Sequence, residues 1–174
     1  MSDNAWGRAK KYSRPCMSKL SKLRRQPMDD KASLLLDEQL CFALYSASNH
    51  IIRAYRGPLA EIGLTYPQYL AMLVLWQDGE QTVKGLSDRL LLDSSTLTPM
   101  LKRLEAAGLV ERHRDRSDER VVRLFLTPQG RALRAGASEI QRQVAHKTGL
   151  SNRHFIQLRA QLNELTTTFK STQT

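Results

Sequence analysis

The segment from Thr82 to Leu126 constrains the fold more than any other part of this chain. Thr82 stands before VKGLSDRLLL and Asp93 before SSTLTPMLKRLEAA, so each polar-apolar run opens on a side chain that accepts from free helix N–H groups; Gly108 follows the second as a stop. Two short capped helices in tandem predict a helix-turn-helix. LVERHRD and RVVRLFL come directly after, flanking RSDE, with Val122, Leu124 and Leu126 on one face and Arg123 on the other, the pattern of a hairpin. A helix-turn-helix followed at once by a charged hairpin is a winged helix. The predicted class is mainly α with a small β-hairpin.

The flanks are helical. Leu36, Leu40, Leu44, Ala47, Ile51, Tyr55 and Leu59 recur at three and four, which predicts a long amphipathic first helix that Gly57-Pro58 should bend or break. Thr65-Tyr66-Pro67 then opens YLAMLVLW, apolar all round and suited to a short buried helix. Thr127-Pro128 opens a fifth helix and Ser151 a sixth, where Phe155, Leu158, Leu162, Leu165 and Phe169 form a heptad seam. The seam alone suits the chain's own first helix as well as a second copy; a winged-helix reader, which commonly spans two half-sites, favours the second copy. The expected organisation is a basic arm over 1–30 and a winged-helix domain over 31–174. Within that domain a DNA-reading lobe covers about 66–127, and dimerisation helices cover about 34–62 and 128–170.

The chain of 174 residues carries 27 basic and 17 acidic side chains, a net +10 that suggests a polyanionic partner. Met1 to Pro27 holds +7 of it with little hydrophobic periodicity, which reads as a disordered basic arm, or as upstream sequence if Met28 is the initiator. No apolar run approaches the ~20 residues of a membrane span, and no apolar segment follows the basic start, so no membrane partner and a cytoplasmic location are expected. Two isolated cysteines, Cys16 and Cys41, make neither a CxxC motif nor a metal site, and no cofactor is expected.

Ser94, Ser95, Thr96 and Thr98 open the second helix of the pair with Lys102 and Arg103 a turn later, while the hairpin carries Arg112, Arg114, Arg116, Arg120 and Arg123. Small hydroxyls also mark any capped helix, and a charged hairpin seen alone is most often a solvated face. Together they fit a recognition helix entering the major groove by its N-terminal end and a wing tip entering the minor groove, with Asp118 close enough to orient Arg120. Cys41 falls about one turn into the first helix if Asp37 is its cap, where unpaired N–H groups favour a thiolate; a small core residue among Leu40, Phe42 and Leu44 is the competing reading. Tyr55, fourteen positions on, lies about 21 Å along the axis at 1.5 Å per residue, so it could meet Cys41 only across a dimer.

LDEQLCFALYSAS, GLTYPQYLAMLVLW, LLDSSTLTPMLKRLEAAGLVERHRD and SDERVVRLFLT resemble the MarR family, and within it the OhrR-type repressors that sense organic hydroperoxides. The resemblance implies a homodimeric repressor that holds double-stranded operator DNA when reduced and releases it when oxidised. Cys41 matches the family's peroxidatic cysteine, Tyr55 and Tyr66 the tyrosines that hydrogen-bond it from the other subunit, and Asp118 and Arg120 the wing-tip pair. Ser94, Ser95, Thr96, Thr98, Lys102 and Arg103 fall where the family's recognition helix meets DNA. No cysteine follows Cys41, which implies the one-cysteine type, completed by a small-molecule thiol; Cys16, 25 residues upstream, is a remote candidate for that role. Two other readings stay open: a repressor induced by a small aromatic acid with Cys41 structural, and a thiol peroxidase. The enzyme reading is the weaker, since one thiol has no turnover partner in the body of the chain.

Overall fold

The computed structural model describes residues 34–115 and 117–172. The basic arm, Cys16 and Arg116 lie outside the described residues. The chain divides after Phe42 into two units, Met1–Phe42 and Ala43–Thr174. In chain order the elements are α1 (Leu40–Glu61), α2 (Tyr66–Asp78), β1 (Gln81–Thr82), α3 (Val83–Leu90), α4 (Ser94–Ala106), β2 (Val110–Arg114), β3 (Val122–Leu126), α5 (Pro128–Lys147) and α6 (Asn152–Thr172).

The core is built where the apolar periods converge. Leu86 of α3, Leu97, Leu101 and Leu104 of α4, Leu124 of β3 and Leu59 of α1 are fully buried with Met72 and Leu75 of α2, whose apolar-all-round sequence suits its central place. Burial at about 25 cal/mol per Å² of apolar surface makes each such leucine worth roughly 2 kcal/mol, which outweighs the local preferences of the short helices. Gly130 locks α5 onto this lobe. A β-carbon there would lie 2.0 Å from the Leu109 carbonyl oxygen, so only glycine lets the first turn of α5 approach, and its own carbonyl accepts from Trp76 Nε1 at 2.9 Å. Thr127 caps the same turn, accepting from the Gly130 N–H at 2.9 Å.

The structure corrects several sequence expectations. α1 is not interrupted at Gly57-Pro58; it runs through Pro58 to Glu61, because the fully buried Leu59 anchors its last turn and offsets one lost backbone hydrogen bond. Asp37 is not its cap. Leu36–Glu38 forms a separate 3₁₀ turn and Gln39 is extended (φ −81, ψ 121), so α1 starts at Leu40 and Cys41 is its second residue rather than one turn in. The predicted hairpin is the larger part of a three-stranded antiparallel sheet ordered β1-β3-β2. Gln81 pairs with Leu124 and Thr82 with Arg123, a contribution too short to show as an alternating pattern. Asp93 holds the cap position of α4, but its main-chain oxygen, rather than its side chain, accepts from the Thr96 and Leu97 N–H groups.

The heptad seam of α6 is largely uncovered by the described residues, with Phe155 and Leu165 only partly buried. No residue of α6 is buried, and Leu158, Leu162 and Phe169 are exposed, Phe169 by 60%. On α1, Tyr45, Ile51 and Ile52 are likewise exposed. The chain's own first helix therefore does not satisfy the seam.

Candidate functional site

The helix-turn-helix is fixed from inside. Thr82 accepts from the Gly85 N–H at 2.9 Å to start α3, and Leu91 closes it in the left-handed region (φ 55), alone among the described non-glycine residues in having positive φ. Leu97, Met100, Leu101 and Leu104 bury one stripe of α4 at the spacing i, i+3, i+4, i+7. That stripe turns Ser94, Ser95, Thr96, Lys102 and Arg103 outward to solvent, while Thr98 is half-buried and stands at the edge of the face. Pro99, which sequence reasoning passed over as a contact, is exposed between them and removes an N–H that Ser95's carbonyl would otherwise accept from. The outer face thus offers hydroxyls and free helix N–H groups at one end and two cations at the other. Such a face suits a polyanion with readable edges.

The wing is organised by carboxylates. Asp115 Oδ1 accepts from the Ser117 N–H at 2.8 Å, the Ser117 hydroxyl at 2.5 Å and the Asp118 N–H at 3.3 Å, while its Oδ2 accepts from Arg123 Nε. The Ser117 hydroxyl above all, then Arg123, holds this carboxyl far below the usual carboxylate range. Arg123 Nη1 donates at 2.7 Å to Glu80 Oε1, so Arg123 is a tie between two acids rather than a free cation. Asp118 does meet Arg120, through its Oδ1 and the Arg120 main-chain N–H at 3.0 Å, so it shapes the backbone at the tip. The Arg120 guanidinium has no acid partner among the described residues. Arg114 reaches Glu119 only at 4.0 Å, both exposed, and Arg112 approaches Glu105 at 3.9 Å from a partly buried position.

Tyr55 and Tyr66 are brought together. Their rings lie 5.3 Å apart, and Tyr69, which sequence reasoning assigned to the core, completes a triangle at 5.4 and 6.3 Å. Burial is the main cause that raises all three phenols above their ordinary pKa of 10.0, so they remain neutral hydrogen-bond donors at any physiological pH. They line a cavity of about 690 Å³ with Trp76, Arg134 and Arg159. Tyr66 also borders a second hollow of about 490 Å³ walled by Ile52, Arg53, Arg56 and Pro67. Cys41 is a free, exposed thiol in the N-terminal unit, at a helix start where main-chain N–H groups have no intrahelical partner. Among the described residues no group of three or more His, Cys, Asp or Glu could hold a metal ion, and no helix is long and apolar enough to cross a membrane.

Residues 64–122 match the model of the MarR family. The chain is 53% identical over 123 residues to the HTH-type transcriptional regulator TtmR of Methylorubrum extorquens, covering 71% of this chain and 62% of that protein; the match thus spans less than two thirds of TtmR. It is 42% identical to the organic hydroperoxide resistance transcriptional regulator of Bacillus subtilis, over 75% of this chain and 88% of the relative. Among solved structures, reduced AbfR bound to DNA superposes with a TM-score of 0.68 at 36% identity, covering 78% of this chain and 93% of that one; AbfR is a protein of Staphylococcus epidermidis. The same protein in its disulfide form superposes at 0.57.

Proposed function

The chain belongs to the MarR family of regulators, and from that premise we propose that it is a homodimeric, redox-sensing repressor that leaves its operator when Cys41 is oxidised by an organic hydroperoxide. Its role is regulatory rather than enzymatic, as for its relatives. α4 lies in the major groove, where Ser94, Ser95, Thr96 and Thr98 read base edges and Lys102 and Arg103 hold phosphates; Arg120 enters the minor groove from a tip shaped by Asp118. The DNA-reading lobe spans about 66–127. The helices over about 34–62 and 128–170 pair two copies, which is supported by the exposed apolar stripes of α1 and α6.

The observation that carries the redox reading is the pair Tyr55 and Tyr66: two neutral phenols in ring contact on an open cavity, in a chain whose described thiol is exposed. Phenol donors stabilise a thiolate supplied by the other subunit. The thiolate sulfur attacks the peroxide: an S–O bond forms, the O–O bond breaks, the alkoxide leaves and takes a proton as an alcohol, and sulfur is oxidised by two electrons to a sulfenic acid. A small-molecule thiol then condenses with it, releasing water and forming a mixed disulfide. Loss of the thiolate releases the phenols and shifts α1 and α2, and with them the spacing of the two α4 helices.

The test begins with duplexes selected by the reduced full-length protein from a randomised library. Cumene hydroperoxide plus a small thiol should release the selected duplex from wild type, while Cys41→Ser should bind as tightly and not respond. Retained response in Cys41→Ser would end the redox reading. Arg134 and Arg159 in the tyrosine-lined cavity favour one other reading, an aromatic carboxylate inducer; release by salicylate without oxidant would support it.

A further inference from the structure

The wing leaves the body of the protein with little to hold it. Beyond the Thr82–Arg123 pair, β1 ends and the ribbon consists of β2 and β3 alone. A lone two-stranded hairpin is marginally ordered in water. Arg123 stands at the last supported register, and its guanidinium reaches two acids from different parts of the chain, Asp115 beyond the end of β2 and Glu80 in the turn between α2 and β1. The side chain of Asp115 is only 10% exposed, unlike an ordinary surface ion pair. Its other oxygen folds the tip through Ser117 and Asp118, and Asp118 holds the Arg120 N–H. The connection from Glu80 to Arg120 is therefore continuous: body to Arg123, Arg123 to Asp115, Asp115 to the 117–118 turn, and that turn to Arg120.

We propose that Glu80, Arg123 and Asp115 form a positioning bridge that aims the wing-tip Arg120 at DNA, with Glu80 controlling affinity from outside the DNA-reading face. The inference rests on the DNA-binding reading above. Electrostatics makes it testable, because taking a negative charge from a protein that binds a polyanion should by itself tighten binding. A positioning role reverses that sign.

Glu80→Gln keeps size and surface exposure, so the fold and oligomeric state should be untouched. Binding to a duplex selected by the wild-type chain, at fixed salt, should weaken by about three- to tenfold, inside the roughly two- to thirtyfold span of residues that act through a connected network. In an Arg120→Ala background the same substitution should cost nothing, since there is no tip contact left to aim. In the DNA-free protein, amide exchange at Ser117, Asp118 and Arg120 should quicken while α4 stays as protected as in wild type. Equal or tighter binding by Glu80→Gln, an undiminished penalty beside Arg120→Ala, or unchanged exchange at the wing tip would each overturn the bridge. Failure of the wild-type chain to enrich any duplex would overturn the DNA-binding reading, and this inference with it.

Discussion

The winged lobe from α2 to β3 and the helices α1 and α6 both carry periodic apolar residues, yet they finish in different states. In the lobe, Leu86, Leu97, Leu101, Leu104 and Leu124 reach zero exposure against one another, and polar ties such as Thr82 to Gly85 and Asp115 to Arg123 close the loops between them. In α6 no residue is buried, and the exposed faces of α1 and α6 carry Ile51, Ile52, Leu158, Leu162 and Phe169. A helix's apolar stripe must be buried somewhere. The lobe finds that partner within the chain, whereas the described residues leave Leu158, Leu162 and Phe169 of α6 and Ile51 and Ile52 of α1 open to solvent. One region is held by its own packing; in the homodimer proposed above the other is completed by association, so that a signal acting on the association need not disturb the fold.

The largest effect should come from Gly130, where the lobe and α5 meet. Gly130→Ala forces a methyl into the Leu109 carbonyl and breaks the Thr127 cap and the Trp76 contact together, with an expected loss on the order of 3 kcal/mol or more in urea unfolding. A change below about 0.5 kcal/mol, the level of a neutral surface site, would mean that α5 adjusts freely and that the contact between Gly130 and Leu109 does not fix its position.

Leu158→Glu with Leu162→Glu strikes the other side of the comparison. Two charges on the α6 seam should convert the proposed dimer to monomer in analytical ultracentrifugation while leaving the helix content of the lobe intact. Loss of the lobe's cooperative unfolding in this variant would erase the distinction between a self-sufficient region and a dependent one.

Arg120→Ala, by contrast, should leave both folding and dimerisation alone. Its expected cost is roughly 1 to 3 kcal/mol in binding to the selected duplex, concentrated in the discrimination against unrelated sequence. Unchanged affinity would remove the wing from the DNA-reading face.

The smallest effect concerns pH. Tyr55, Tyr66 and Tyr69 have folded pKa values above their unfolded value of 10.0, so their contribution to stability is fully present below pH 10 and is lost as pH rises toward the folded values. Absorbance titration of native protein should show phenols that ionise later than those of the urea-unfolded chain, and stability should fall above about pH 10 and not between pH 7 and 9. Coincident native and unfolded titrations would mean that the triangle is open to water.

Much of the winged lobe is legible in residue order. Thr82, Asp93, Gly108 and Thr127 mark helix ends through contacts within a few positions of themselves, and the alternation of Val122, Leu124 and Leu126 follows from the two-residue period of a strand. The stripe Leu97, Met100, Leu101 and Leu104 likewise dictates that Ser95, Thr96, Lys102 and Arg103 face away from the core. What escaped prediction depends on residues far apart in the chain. β1 exists because Gln81 and Thr82 find Leu124 and Arg123 about forty positions on, and two residues carry no period of their own. α1 passes Pro58 because Leu59 has a core to enter. Arg123 reads in sequence as one more wing cation, and only the convergence of Glu80 and Asp115 on its guanidinium makes it a tie. Local chemistry, acting over three or four residues, is written in the sequence; neutralising a charge, covering a proline's lost bond or pairing a short strand is decided by whatever the tertiary fold brings alongside.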